Sequence, residues 1–148
     1  MLSIRPFEDG DLAECAALYV SVFAEPPWNE EWTPADARRH LEQTCKTPGF
    51  VGLVALDGGH IVGVVTGVSR CGATGDYVLL DDMFIDHTLR GQGIGRRLME
   101  ELKRRAAQQG AIALALFTQA TSHAADFYRR YGFEEDPNLR FMLLGLGG

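Results

Sequence analysis

Met83-Phe-Ile-Asp-His-Thr-Leu-Arg90-Gly-Gln-Gly-Ile-Gly95-Arg-Arg-Leu98 is the stretch whose reading decides the fold. Tyr77 to Ile85, which runs into it, reads as a strand. Leu98, Leu102 and Ala106, which follow it, recur at helical spacing toward a stop near Gly110. Gly91, Gly93 and Gly95 therefore lie between a strand and a helix, and that order matters more than the glycines themselves. Glycine lets the backbone turn tightly and approach a ligand, while the first amides of the helix have no partner of their own. An anion is the natural occupant, drawn by those amides and by the cationic Arg90, Arg96 and Arg97. Taken alone, the motif fits a turn that binds nothing equally well. A dinucleotide-binding fold needs an early strand-turn-helix unit and an acidic residue ~20 positions on, and neither is convincing here. A nucleoside-triphosphate loop needs a terminal Gly-Lys-Ser/Thr, which the turn lacks.

The rest of the chain interleaves strands and helices. Leu2 to Phe7 reads as a first strand. Asp9 and Asp11 can cap a helix carrying Leu12, Ala16, Tyr19, Val20 and Phe23, which must end before Pro26-Pro27. Thr33-Pro34 supplies a cap and first position for a second helix, reaching about Lys46. Phe50 to Leu56, the turn Asp57-Gly-Gly-His60 and Ile61 to Val68 read as a hairpin. Ala111 to Thr118 has strand length. Ala124, Phe127, Tyr128 and Tyr131 mark a helix up to Gly132, and Arg140 to Leu144 reads as a closing strand. The expected class is α/β or α+β, a mixed sheet covered by helices, in one domain over 1–148.

Composition narrows the function. The hydrophobic fraction of 46% and charged fraction of 23% suit a soluble globular chain. No apolar run reaches the ~20 residues a membrane span needs, and no leader is recognisable, so a cytoplasmic protein with no membrane partner is expected. The net charge of −6 argues against nucleic acid and suits a cationic partner, although a modest negative charge also simply aids solubility. Cys15, Cys45 and Cys71 are odd in number and widely spaced, which reads as reduced structural thiols. His60, His87 and His123 are isolated and His40 falls on a helix expected at the surface, so no metal site is proposed.

Arg90-Gly-Gln-Gly-Ile-Gly95 resembles the acetyl-CoA signature of the GCN5-related N-acetyltransferase superfamily, Gln/Arg-x-x-Gly-x-Gly/Ala. Ala124-Ala-Asp-Phe127-Tyr128-Arg-Arg-Tyr131-Gly132-Phe133 is similar to the same superfamily's downstream helix, and the order of elements agrees over almost the whole chain. The resemblance implies a central mixed, mostly antiparallel sheet flanked by helices and splayed beside the phosphate turn, with acetyl-CoA as acyl donor. It assigns to that donor Phe84, Ile85, Arg90, Gly91, Gln92, Gly93, Ile94, Gly95 and Arg96, with Thr121, Ala124 and Phe127 from the later helix. Thr121, beside Ser122, stands where an asparagine is often found, a departure that touches one polar contact to the pantetheine. Dimers are common among such proteins, and a homodimer through the C-terminal strand is what the resemblance implies.

Acetyl transfer to an amine needs a neutral amine, a polarised carbonyl and a proton donor for the departing thiolate. Tyr128 resembles the family's general acid, although its helical position also suits core packing. For the base, Asp81 and Asp82 precede Met83 on the strand feeding the turn, and alternation sends them to opposite faces. Asp81 is preferred as base, with Asp82 on the acceptor side. Capping of backbone amides by the pair, or a water-mediated route, remains open. The carbonyl is expected to meet a backbone N–H between Asp82 and Ile85.

The acceptor is sought in Glu25-Pro-Pro-Trp28-Asn29-Glu30-Glu31-Trp32, where carboxylates and indoles together suit a cation. A polyamine or amino sugar fits, and the stretch resembles a segment of small acetyltransferases related to aminoglycoside N-acetyltransferases. Packing of both tryptophans onto the sheet with solvated glutamates fits as well. Two other functions stay open: an acyl-CoA-binding sensor without turnover, which has no need of Tyr128, and a protein or peptide N-acetyltransferase.

Overall fold

The apolar runs on either side of Gly58-Gly59 pair as a hairpin, β2 (Phe50–Asp57) with β3 (His60–Arg70), in a computed structural model that describes residues 1–147. β1 (Leu2–Pro6) adds antiparallel to β2, and β4 (Tyr77–Ile85) adds antiparallel to β3. β5 (Ala113–Ala115) lies parallel to β4, giving the order β1-β2-β3-β4-β5. The sheet is mixed, mostly antiparallel and open, as the sequence predicts. β5 is shorter than the expected 111–118, and it meets β4 only at Tyr77, Val78 and Leu79. Among the described residues, β4 therefore runs from Leu80 to Ile85 with one edge outside the ladder, which is the splay the resemblance implies.

The chain forms two compact units, 1–117 and 118–148. In the first, α1 (Leu12–Phe23) and α2 (Pro34–Cys45) cover one face of the sheet. Leu12, Ala16, Tyr19, Val22, Ala37 and Leu41 bury themselves there with Val54, Val64 and Phe84. Burial of each valine, leucine or phenylalanine among them contributes about 1.5–3 kcal/mol. α3 (Ile94–Gln108) packs on β2, β3 and β4, burying Ile94, Leu98, Met99, Leu102 and Ala106. Gly63 makes room for its first turn: a Cβ there would stand 2.9 Å from Ile85 Cδ1 and 3.1 Å from both Ile94 Cγ2 and Leu98 Cδ1.

The Thr33-Pro34 start of α2 forms as read, with the Thr33 hydroxyl accepting the Asp36 N–H. The start of α1 differs. Asp9–Asp11 is a separate 3₁₀ turn, and the Asp11 carboxylate takes the Glu8 N–H and a two-pronged pair of bonds from Arg5 at 2.7 and 2.8 Å instead of capping α1. The Arg5 guanidinium holds the Asp11 carboxyl below the usual carboxylate range. Cys15 is buried, and that burial pushes its thiol up to about 12, in keeping with a structural role.

The second unit holds α4 (His123–Tyr131). The Ser122 hydroxyl caps it by accepting the Ala125 N–H at 3.0 Å, and Gly132, at φ +126°, ends it. The expected strand at Arg140 to Leu144 is not formed: those residues join no ladder, and Phe141, Met142, Leu143, Leu144 and Leu146 are exposed. An alternating apolar run becomes a strand only beside a partner edge, and nothing in the run itself supplies one.

Candidate active site

The turn after β4 is built from local bonds. The Asp86 N–H donates to the Val62 carbonyl at 2.8 Å, and its carboxylate accepts the Thr88 N–H at 3.0 Å and hydroxyl at 2.8 Å. Those bonds hold the Asp86 carboxyl below its ordinary range. After the single 3₁₀ turn His87–Leu89, Gly91 and Gly93 both take φ +80°, and an added Cβ at either would meet nothing within 4 Å. Gly93 caps α3 with no side chain satisfying the first amides, so the helix presents N–H groups beside open space. Arg90, Gln92, Arg96 and Arg97 are exposed around it. A phosphate group fits this donor set.

The carboxylates on β4 are separated by a β-bulge. Thr66 pairs with Asp82 and Gly67 with Leu80, leaving Asp81 as the extra residue. Asp81 is exposed at the bulge, where partial burial and the adjacent Asp82 raise its carboxyl above the ordinary range. Asp82 instead turns toward α2, its side chain 12% exposed, with its N–H on the Thr66 hydroxyl at 3.2 Å. Its Oδ2 lies 2.6 Å from His40 Nε2. His40, on a helix expected at the surface, is half-buried, and the bond to Asp82 raises its imidazole above the ordinary value. No spacing rule links positions 40 and 82, so this pair is invisible in the sequence.

Around the pair stands an aromatic wall. Tyr19 is buried, with its ring centre 5.0 Å from Trp32, 5.2 Å from His40 and 5.2 Å from Phe84. The Trp32 indole N–H donates to Glu30 at 2.9 Å. Trp28 packs on Phe23 at 5.1 Å, and the Arg90 guanidinium lies 5.7 Å from the Trp28 ring centre. Glu25 approaches His87 at 3.9 Å. Both tryptophans thus pack the loop onto the core, as one of the two readings expects, and Asn29, Glu30 and Glu31 stay exposed. Of the acceptor candidates, Trp32 lies 5.5 Å from the His40 ring centre, whereas Glu25 and Trp28 meet His87 and Arg90 of the turn after β4.

In the second unit, Tyr128 is buried and packs edge-on against Phe127 at 5.5 Å and Phe133 at 5.6 Å. Ala124 and Phe127 are half-buried on the same helix, and Thr121 is exposed just ahead of the Ser122 cap. Among the described residues, no group of three or more His, Cys, Asp or Glu could hold a metal ion. No helix is long and apolar enough to cross a membrane.

The profile described as the Acetyltransferase (GNAT) family matches residues 15–133. The chain belongs to that family. It is 38% identical over 106 residues to the IAA acetyltransferase of Azospirillum brasilense, covering 69% of this chain and 67% of that protein. It is 33% identical over 134 residues to the N-alpha-acetyltransferase RimI of Mycobacterium tuberculosis (strain ATCC 25618 / H37Rv), covering 90% and 78%. Three further relatives are matched over 68 residues, 26% to 29% of their own length. Among solved structures, an aminoglycoside acetyltransferase, meta-AAC0020, from an uncultured soil metagenomic sample in complex with sisomicin superposes with a TM-score of 0.77 at 20% identity. That match covers 99% of this chain and 97% of that one. At that identity the likeness speaks for the fold. GNAT enzymes use acetyl-CoA, and this chain is an acetyltransferase of their type.

Proposed function

We propose that this GNAT chain, folded as one domain and working in the cytoplasm, transfers an acetyl group from acetyl-CoA directly to a primary amine of a small cationic acceptor of polyamine or aminoglycoside type. The observation that carries this reading is the grouping of Asp81, Asp82 and Glu30 with the rings of Tyr19 and Trp32, beside the open edge of β4. Carboxylates set among aromatic faces favour a cation.

The CoA pyrophosphate is held by the amides of Gly91 to Gly95, including Gln92 and Ile94, with charge from Arg90 and Arg96. The β4 edge at Asp82, Phe84 and Ile85 offers backbone groups to the acyl arm, and Thr121, Ala124 and Phe127 contact the pantetheine. Asp81 meets the acceptor's ammonium and draws off its proton, directly or through water; its raised carboxyl suits that task better than an ordinary aspartate. Asp82, Glu25, Trp28, Asn29, Glu31 and Trp32 shape the acceptor side. Tyr128 supplies the proton to the departing thiolate.

Incubation with acetyl-CoA and a panel of polyamines, aminoglycosides, amino acids and peptides, read by thiol release with Tyr128→Phe in parallel, tests the proposal. Turnover on a small amine that collapses in the variant is expected, and CoA binding with no acceptor-dependent thiol release would overturn it. Similarity to RimI over 90% of the chain favours a second reading, acetylation of a peptide α-amine, which turnover on the peptides alone would establish.

The exposed apolar run from Phe141 to Leu146 supports a homodimer. A monomer by light scattering at working concentration would refute it.

A further inference from the structure

The α2 helix contributes a titratable group that the acetyl-transfer reading leaves unused. His40 is tied to Asp82 at 2.6 Å, and the two side chains are 34% and 12% exposed. Asp82 is itself fixed by the Thr66 hydroxyl on β3. The Tyr19 and Trp32 rings flank the imidazole at 5.2 and 5.5 Å. The groups that face His40 are Asp81 and Asp82 from β4, Glu30 from the loop between α1 and α2, and the Tyr19 phenol from α1. Three are carboxylates, and burial keeps the phenol protonated. Every charge among them therefore favours the imidazolium.

We propose that His40, oriented by Asp82, holds the proton that the acceptor's ammonium sheds before it attacks the thioester. This rests on the reading under Proposed function. It answers a deficiency there. A carboxyl with an ordinary value near ~4 does not retain a proton at neutral pH even when raised somewhat, whereas an imidazole, ordinarily near ~6.5 and here raised by its bond to Asp82, takes one up and holds it there. Asp81 is the first carboxylate the ammonium meets, and His40 is where the proton rests.

The step balances. One ammonium N–H bond breaks, and its proton passes through Asp81 or a water to the neutral imidazole. The freed lone pair forms the C–N bond as the C–S bond breaks and the thiolate leaves. Tyr128 gives its proton to the departing thiolate, and the second amine proton passes through solvent to the resulting phenolate, giving amide, free thiol and a restored phenol. His40 then returns its proton to solvent. His40 must be neutral at the start, so turnover rises as pH climbs through its titration.

The test pairs the pH profile of kcat/KM for an acceptor turned over in the panel with an NMR titration of the His40 ring nitrogens. We expect the acidic limb of the profile to coincide with the His40 titration, above the ordinary ~6.5. Asp82→Asn should move limb and titration to lower pH together. His40→Gln should erase the limb and lower kcat by about 10²-fold, the scale of general acid–base catalysis, with CoA affinity unchanged. Asp81→Asn should lower the whole profile and leave the limb in place. A limb that survives His40→Gln, or that follows Asp81→Asn, overturns the role of His40 and leaves the acetyltransfer reading standing. Absence of turnover on every amine overturns both.

Discussion

His40 Nε2 lies 2.6 Å from Asp82 Oδ2, a contact that spans 42 positions of the chain and fastens the middle of α2 to the bulged stretch of β4. Because the loop carrying Trp28 and Trp32 runs between α1 and α2, the bond also fixes one end of that loop, which we propose faces the acceptor. Structure and chemistry meet in the same pair.

Stability should therefore depend on pH through His40. Its folded-state value is raised above the unfolded one, so the stabilisation is fully present below about pH 6.5 and is lost as pH rises through the folded value. Since the pair is partly solvated, its contribution should be near ~1 kcal/mol. Denaturant melts from pH 6 to 9 should show wild type losing about that much while His40→Gln stays flat. Parallel curves would remove the charged pair from the account.

Asp81 should show the opposite balance. Burial first and the Asp82 charge second raise its folded-state value, so the ionised carboxylate works against folding above its titration. Asp81→Asn is expected to raise the melting temperature at pH 7, with the gain disappearing below about pH 4. The same change should cost about tenfold or more in kcat/KM, at the low end of general-base effects. A variant both less stable and fully active would show the bulge carboxylate to be structural.

What the sequence reveals here is what local rules govern. Thr33-Pro34, the Asp57-Gly-Gly-His60 turn and the Arg90 to Gly95 signature each announce themselves within a few residues, and the elements around them form where expected. The bulge at Asp81 depends on the register between β3 and β4, and the bond from His40 depends on how α2 crosses the sheet. Both are set by packing between distant segments. Asp11 misleads for a related reason: its carboxylate suits a cap, yet Arg5, brought near by β1, claims it. The run from Arg140 to Leu144 has strand-like residues, but pairing is a property of two segments and only one is written there.

Gly63 tests how closely α3 must approach the sheet. Its missing Cβ leaves room for Ile85, Ile94 and Leu98, which are side chains at the root of the phosphate turn. Gly63→Ala forces these neighbours outward, and overpacking of this kind costs typically about 1–3 kcal/mol. Thermal unfolding should register that loss, and isothermal titration should show weaker CoA binding because the first turn of α3 moves. A stable variant with unchanged CoA affinity would mean that the core there yields without disturbing the turn.

Arg90 links the turn before α3, the proposed pyrophosphate site, to the loop proposed to meet the acceptor, through its contact over Trp28 at 5.7 Å from the ring centre. An exposed cation–π contact contributes about 0.5–1 kcal/mol, whereas a guanidinium on phosphate forms stronger, charge-assisted bonds. CoA should therefore draw Arg90 away from the indole. The chain has only two tryptophans, so Trp32→Phe leaves Trp28 as the sole indole reporter. In that background, CoA addition is expected to shift Trp28 emission. Arg90→Gln should abolish the shift and weaken CoA binding roughly tenfold, the loss of one charge-assisted contact. An emission change that persists without Arg90 would place the coupling in the neighbouring Glu25–His87 contact instead, and Glu25→Gln would then be the variant that silences it.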